Sequence, residues 1–298
     1  MNDSNAEGIP AGVDGASRSG AAVTNAQVLL GELQRADLVV VDARFSLSDP
    51  GAGQAAYLDC HIPGARYAHL DRDLSDHRQR GAGRHPWPDA NDFCEVLSRW
   101  GIGCDDRVVV YDAGDGALAA ARLWFMLRAL GHREVSVLDG GWARWTALGL
   151  RVDNSLPSVE PRQYRAGFDA TRLLDAEQVH QHLAQGGLLV DARAGERFRG
   201  EVEPIDAAAG HVPGAANRPY TCNLVDGRFK TAPMLRQEFD RLLQGRPPQE
   251  VVVMCGSGVT ACHHLVAMAQ AGLQGGGLFT GSWSGWISDP ARPVAIGC

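Results

Sequence analysis

Apolar residues along the chain fall into short, mostly β-branched runs separated by amphipathic stretches. Val28, Leu29 and Leu33 repeat at helical spacing over Ala26 to Arg35, and Leu38-Val39-Val40-Val41 then forms a continuous apolar run ending in Asp42-Ala43-Arg44. A run without polar alternation is that of a strand covered on both faces of a parallel sheet. A long polar segment leads to Cys60-His61-Ile62-Pro63-Gly64-Ala65, and Arg72 to Asp89, basic and rich in Gly and Pro, reads as loop. Phe93 to Trp100 is predicted helix and Val108-Val109-Val110-Tyr111 a second strand. Ala117 to Leu130 is an apolar helix stopped by Gly131, and Val135-Ser136-Val137-Leu138 a third strand, followed by Asp139-Gly140-Gly141-Trp142.

The same order then returns. A helix over Ala176 to Gln185 precedes the strand Leu188-Leu189-Val190, which ends in Asp191-Ala192-Arg193. Gly210-His211-Val212-Pro213-Gly214-Ala215 echoes the earlier His-Ile-Pro-Gly-Ala, Val251 to Met254 echoes Val108 to Tyr111, and Gly281-Ser282-Trp283 echoes Gly140-Gly141-Trp142. Landmarks recurring in order at offsets of roughly 140 to 150 residues mark a duplicated domain. Strands alternating with helices make each copy an α/β unit with a mainly parallel sheet. The expected organisation is a disordered tail over residues 1–21, a first domain over 22–151, a linker over 152–170 carrying Pro157 and Pro161, and a second domain over 171–298.

A length of 298 residues suits two domains, and 45% hydrophobic with 21% charged residues is the balance of a soluble globular protein. The net charge of -7 argues against nucleic acid or an anionic membrane as partner, and no apolar run approaches a membrane span. The seven cysteines are odd in number, show no framework and follow no secretory signal, so a reducing cytoplasm is expected. Cys255, Cys262, His263 and His264 lie close in sequence but contain no Cys-x-x-Cys or His-x-x-x-His pair, and no metal site is expected.

The candidate chemistry lies after the strand Val251 to Met254. Cys255 follows the strand, Gly256 and Gly258 permit a tight turn, Thr260 can cap the next element, and Ala261 to Ala271 is a helix stopped by Gly272. A thiol in a loop feeding a helix N-terminus meets backbone N–H groups and a positive dipole end, the conditions that favour a thiolate and hold an anion. A buried structural cysteine is the competing reading, and the flanking glycines and helix start weigh against it. Aligned on the strands, Asp112 in Asp112-Ala113-Gly114-Asp115-Gly116 stands where Cys255 does, so only the second half can carry sulfur covalently. Arg197 falls opposite Ser48 and is specific to the second half, which makes it a candidate clamp for a substrate carboxylate. Asp42/Arg44 with Asp191/Arg193, and His61 with His211, occur in both halves and are expected to be ion pairs and turn anchors of the scaffold.

Cys255-Gly256-Ser257-Gly258-Val259-Thr260-Ala261 resembles the active-site loop of the rhodanese-type sulfurtransferases, in their 3-mercaptopyruvate branch, and the tandem order of landmarks extends the resemblance over most of the chain. The resemblance implies a catalytically silent first domain and a second domain in which Cys255 attacks the sulfur of 3-mercaptopyruvate, with pyruvate leaving through its enolate. The persulfide, stabilised by the N–H groups of residues 256 to 260, would pass its sulfur to a thiol acceptor such as thioredoxin, or to cyanide, with no bound cofactor. Cys255 and Ser257 are then the catalytic candidates, Ser257 as hydrogen-bond donor or proton relay. Arg197, Gly256, Ser257, Gly258, Val259 and Thr260 are the substrate-binding candidates, with His61 (reaching across the domain interface), Arg193 and Arg199 as further ones. The family's second arginine has no counterpart between Glu201 and Asp206, so Arg199 or a first-domain arginine such as Arg84 supplies that charge, or affinity is lower. Thiosulfate as donor to the same nucleophile is the alternative; neutral Gly256 and Ser257 favour mercaptopyruvate over that dianion. A cysteine phosphatase would need Arg six residues after the nucleophile, where Ala261 stands, and the intact loop speaks against a module that only binds. Cys262 either faces the core or serves as a redox partner, and Cys298 is expected to be exposed.

Overall fold

The structure, a computed structural model, describes residues 20–297. The tail expected over residues 1–21 therefore lies outside it except for Gly20 and Ala21, and so does Cys298. Strands β1 (Val23–Thr24), β2 (Leu38–Asp42), β3 (Arg66–Tyr67), β4 (Arg107–Tyr111) and β5 (Val135–Leu138) form one sheet in the order β1-β5-β4-β2-β3. Strands β6 (Leu173–Leu174), β7 (Leu188–Asp191) and β8 (Ala216–Asn217) precede a short antiparallel pair, β9 (Leu224–Val225) and β10 (Arg228–Phe229), after which come β11 (Val251–Met254) and β12 (Gly277–Phe279). The second sheet has the order β6-β12-β11-β7-β8. That repeats the first sheet strand for strand, and every ladder in both is parallel. β4 and β11 occupy the centre of their sheets and are buried at every residue, which is why their sequences show no polar alternation.

The helices Ala119–Ala129 and Cys262–Gln270 pack against each other and fuse the two halves into one core. The first is buried at every residue but Arg128, because its own sheet covers one face and the second domain the other. Short helices at Gly141–Ala147, Gly195–Phe198 and Ser282–Trp286 add to those the sequence reading expects, and three further stretches depart from it. Ala52–Asp59 is a helix inside the polar segment; it buries only Gly53 and Tyr57 and so has no apolar stripe to betray it. Leu70–Asp73 forms one turn that takes in the first two residues of the expected loop. Ala232–Leu243 buries Leu235, Phe239 and Leu243 at intervals of four and lies outside the repeated landmarks.

The landmarks themselves turn out to be one network in each half. Arg44 grips Asp42 (Nε and Nη2 to the carboxylate, 2.6–3.0 Å), donates to Cys60 O at 2.6 Å and lies over Trp142 at 4.4 Å. Arg193 grips Asp191 in the same way, donates to Gly210 O at 2.7 Å and lies over Trp283 at 4.8 Å. The Asp-x-Arg, His-x-Pro-Gly and Gly-x-Trp segments therefore recur together because one buried guanidinium ties them. Residues 152–170 run back across the first domain: Asp153 bridges His61, Arg162 pairs with Asp106 at 2.6 Å, and Tyr164 and Phe168 pack on that domain's side chains.

Candidate active site

Cys255 leaves the C-terminal end of central strand β11, where open parallel sheets place their sites. The loop after it needs Gly258: its φ is +74°, and a Cβ there would stand 2.7 Å from Thr280 O. Behind the loop, Ser282 holds φ +49° where the first repeat has Gly141 at +50°, so a serine tolerates a glycine conformation. It is kept by its hydroxyl, which accepts the Cys255 N–H (3.2 Å) and donates to Phe279 O (3.0 Å). The carbonyls of Cys255 and Gly256 receive the N–H groups of Trp283 (3.0 Å) and Ser284 (2.9 Å). Among the described residues, no backbone N–H from Gly256 to Ala261 donates to a protein acceptor.

The first repeat explains what such N–H groups can hold. Asp112 is buried, and its carboxylate accepts from Gly114 N (3.2 Å), Gly116 N (3.0 Å) and Leu118 N (3.1 Å). Burial and neighbouring Asp115 push its pKa up to about 6 against those three bonds. The register that sets Asp112 opposite Cys255 sets Gly114, Gly116 and Leu118 opposite Ser257, Val259 and Ala261. One loop thus holds its own carboxylate on three N–H groups; the Cys255 loop turns at Gly258, one position earlier than the left-handed Gly116, and leaves its N–H groups without a protein acceptor among the described residues, beside a thiol.

Cys255 lines a cavity of about 230 Å³ between the two domains. The first domain contributes Arg84 and His85, and the second Arg193, Arg197, Gly256, Ser257, Val259 and Thr260. Arg197 donates to Glu203 (2.6 and 3.2 Å) and to Asp206 (3.2 Å), and Arg84 donates to the other oxygen of Asp206. Glu203 also reaches Arg193 at 3.4 Å. Burial raises the Glu203 pKa, but Arg197 and the N–H groups of Asp206 and Ile205 outweigh it and hold the carboxyl below its ordinary range. Both guanidiniums face Gly256, where a Cβ would lie 3.0 Å from Arg84 Nη2 and 3.8 Å from Arg197 Nη2. Arg84 Nε is buried without a partner among the described residues. Arg84 thus stands beside Arg197 as a second guanidinium lining the cavity.

Three expectations need correcting. Arg199 pairs with Glu201 on the surface and does not line the cavity. His61 does not reach the site and follows instead the favoured expectation of a turn anchor: it stacks on Tyr57 at 4.2 Å with Nδ1 2.6 Å from Tyr57 O, as His211 stacks on Phe198 at 3.7 Å beside its own Pro-Gly turn. Thr260 lines the cavity without capping the helix, whose N-cap is Ala261 with no side-chain bond.

The histidine that crosses the interface is His85, within the segment read as a basic loop. Its Nδ1 lies 2.8 Å from Ser257 Oγ and its Nε2 3.6 Å from Asp71 Oδ1. Burial lowers its pKa to about 3, with Arg122 and Arg84 adding to the effect, so the ring is neutral at neutral pH. At 3.6 Å Asp71 makes no direct hydrogen bond; its charge favours the proton on Nε2 and leaves Nδ1 to accept from the Ser257 hydroxyl. Cys262 is fully buried with Sγ 3.5 Å from Gly258 O, and burial pushes its thiol up, so it faces the core. His263 and His264 bond the carbonyls of Asp115 (3.0 Å) and Arg218 (2.7 Å) and share Asn223.

Comparison with known proteins matches the model for the rhodanese-like domain twice, over residues 25–148 and 175–289. The "Probable 3-mercaptopyruvate sulfurtransferase" of Pseudomonas aeruginosa is 50% identical over 283 residues, 94% of this chain and 99% of its own. The "Putative thiosulfate sulfurtransferase SseB" of Mycobacterium tuberculosis is 41% identical, covering 93% of this chain and 98% of its own. Among solved structures, the Escherichia coli 3-mercaptopyruvate sulfurtransferase SseA superposes with a TM-score of 0.76 at 30% identity over 89% of this chain and 99% of that one.

Proposed function

The chain belongs to the rhodanese family and is a sulfurtransferase, and from that premise we propose that its donor is 3-mercaptopyruvate, its sulfur carrier Cys255 and its acceptor a thiol or cyanide. The Cys255 thiolate attacks the substrate sulfur, the sulfur–carbon bond breaks, and the electron pair leaves on carbon as the pyruvate enolate. The proton on the transferred sulfur is the one the enolate carbon needs. Ser257 hands its hydroxyl proton to that carbon and takes the persulfide's proton in return, with neutral His85 holding the hydroxyl in place, so no outside proton is consumed. The persulfide anion rests on the N–H groups that the first repeat spends on Asp112, and the substrate carboxylate meets Arg197 and Arg84. A thiol or cyanide then attacks the outer sulfur and frees the Cys255 thiolate. No described helix is long and apolar enough to cross a membrane.

The observation that carries this reading is the Ser257–His85 contact, because mercaptopyruvate needs a proton delivered to carbon and thiosulfate, which releases sulfite, does not. The second reading, thiosulfate as donor, is favoured by the 41% identical relative and by two guanidiniums suited to a dianion. Intact-mass titration of the reduced protein with each donor, with Cys255→Ser as control, tests both. One sulfur gained from mercaptopyruvate at much the lower concentration, and none by the variant, is the expected result. A gain chiefly from thiosulfate transfers the assignment to the second reading, and no gain from either ends both.

A further inference from the structure

Arg122 lies on the first-domain helix Ala119–Ala129, is fully buried and takes no part in the scheme above. Its guanidinium gathers carbonyls from both sides of the interface. Nη1 donates to Gly258 O in the Cys255 loop at 3.2 Å; Nε and Nη2 donate to Leu74 O at 3.1 and 2.8 Å. Nη2 also donates to His85 O at 3.1 Å and Pro86 O at 3.3 Å, and the group lies 5.1 Å over Trp87. Every acceptor is an uncharged backbone carbonyl, and among the described residues no carboxylate lies within ion-pair distance. Burial draws its pKa down to about 10, which leaves the charge in place at neutral pH, and Cys262, Cys255 and Asp71 are the titratable groups whose negative charge would favour the cation. A buried cation without a counter-ion is expensive, and structures keep one where it has work to do.

The repeat sharpens the point. Asp115 stands opposite Gly258, and Asp115 O accepts from His263 Nε2 at 3.0 Å. Each loop thus offers the same carbonyl to a helix of the other domain. The silent loop receives a histidine that burial keeps neutral, its pKa lowered to about 4, whereas the Cys255 loop receives a permanent cation.

We propose that Arg122 is a positioning residue for sulfur transfer: it ties the Cys255 loop and the His85 loop to one guanidinium, holding the Ser257–His85 contact and the open N–H cradle in register across the interface. An anionic sulfur on Cys255 then supplies the counter-charge that Arg122 otherwise lacks. This rests on the reading of Cys255 as sulfur carrier and of Ser257–His85 as its relay.

The test compares the wild-type protein with Arg122→Met and Arg122→Lys in steady-state turnover of 3-mercaptopyruvate. Two further readouts are the iodoacetamide alkylation rate of Cys255 at neutral pH and near-UV circular dichroism for folding. Arg122→Met is expected to lose kcat by roughly 10²-fold, with KM within about 3-fold because Arg84 and Arg197 remain, and to alkylate more slowly. Arg122→Lys keeps the charge but spans fewer carbonyls, so it recovers wild-type alkylation and only part of kcat. A folded Arg122→Met with wild-type kcat and alkylation, or with its loss confined to KM, overturns the proposal. Should Arg122→Met not fold, Arg122→Lys decides: reduced kcat with wild-type alkylation supports it, and wild-type kcat overturns it. Failure of the wild type to turn over mercaptopyruvate would count against the donor assignment instead, and alkylation, which needs no donor, would still decide for or against Arg122.

Discussion

Ser257 Oγ lies 2.8 Å from His85 Nδ1, and burial makes that imidazole an acceptor by drawing its pKa to about 3. A charged imidazole would donate from both nitrogens and could not accept the hydrogen bond of the serine hydroxyl. Ser257→Ala is therefore expected to lower kcat with mercaptopyruvate by roughly 10²–10⁴-fold, the usual worth of a positioned acid–base group, and with thiosulfate by far less. Single-turnover persulfide formation with each donor measures this, and equal losses would remove Ser257 from the proton path. Asp112 makes the complementary point from the other repeat. Its carboxylate satisfies three N–H groups, so that half has no cradle left to offer a substrate anion.

The loop over residues 255–261 works because the elements around it fix its backbone. Gly258 needs both its left-handed φ of +74° and the absence of a Cβ that would stand 2.7 Å from Thr280 O. Gly258→Ala is expected to cost at least about 1 kcal/mol, the penalty of the left-handed region for an L-residue, and more from the contact. It would also move Gly258 O away from Arg122. Thermal unfolding and persulfide yield, measured together, should both fall; an unchanged melting temperature would mean the loop adapts without strain. Several elements were legible because they repeat or because burial writes itself into composition, as in β4 and β11. The helix Ala52–Asp59 was not, since a helix burying only Gly53 and Tyr57 leaves no stripe. Ala232–Leu243 carries a clear one in Leu235, Phe239 and Leu243, but has no counterpart in the other half to draw the eye.

Across the described residues, burial lowers the pKa of five buried histidines: His85 and His264 to about 3, His263 to about 4, and His69 and His132 below their usual value. The unfolded chain protonates these rings near pH 6.5, and the native protein resists until much lower pH. Their contribution is therefore complete above about pH 6.5 and lost as pH falls toward about 4. Asp112, raised to about 6, and Asp73, raised by burial, act in the opposite sense as two groups against five. The melting temperature is expected to be lower near about pH 5 than near about pH 7; calorimetry showing it unchanged or higher would mean the histidines are not held neutral. In a chain of net charge -7, Arg84, Arg193 and Arg197 line one cavity, the local concentration of positive charge that an acidic protein needs to take an anionic substrate. The duplicated parallel sheets, the buried Asp-x-Arg pairs, Cys255 in its glycine-flanked loop and the second-half Arg197 were all determined by sequence alone, because each depends on neighbours within one repeat or on comparing repeats. Comparing repeats could also mislead, since it assigned chemistry to the half that differs. His85, Arg84 and Arg122 lie in the other half and act across the interface, through bonds such as His85–Ser257 and Arg122–Gly258 that span 172 and 136 positions. No periodicity encodes such distances; only the docking of helix Ala119–Ala129 on Cys262–Gln270 brings the loops face to face.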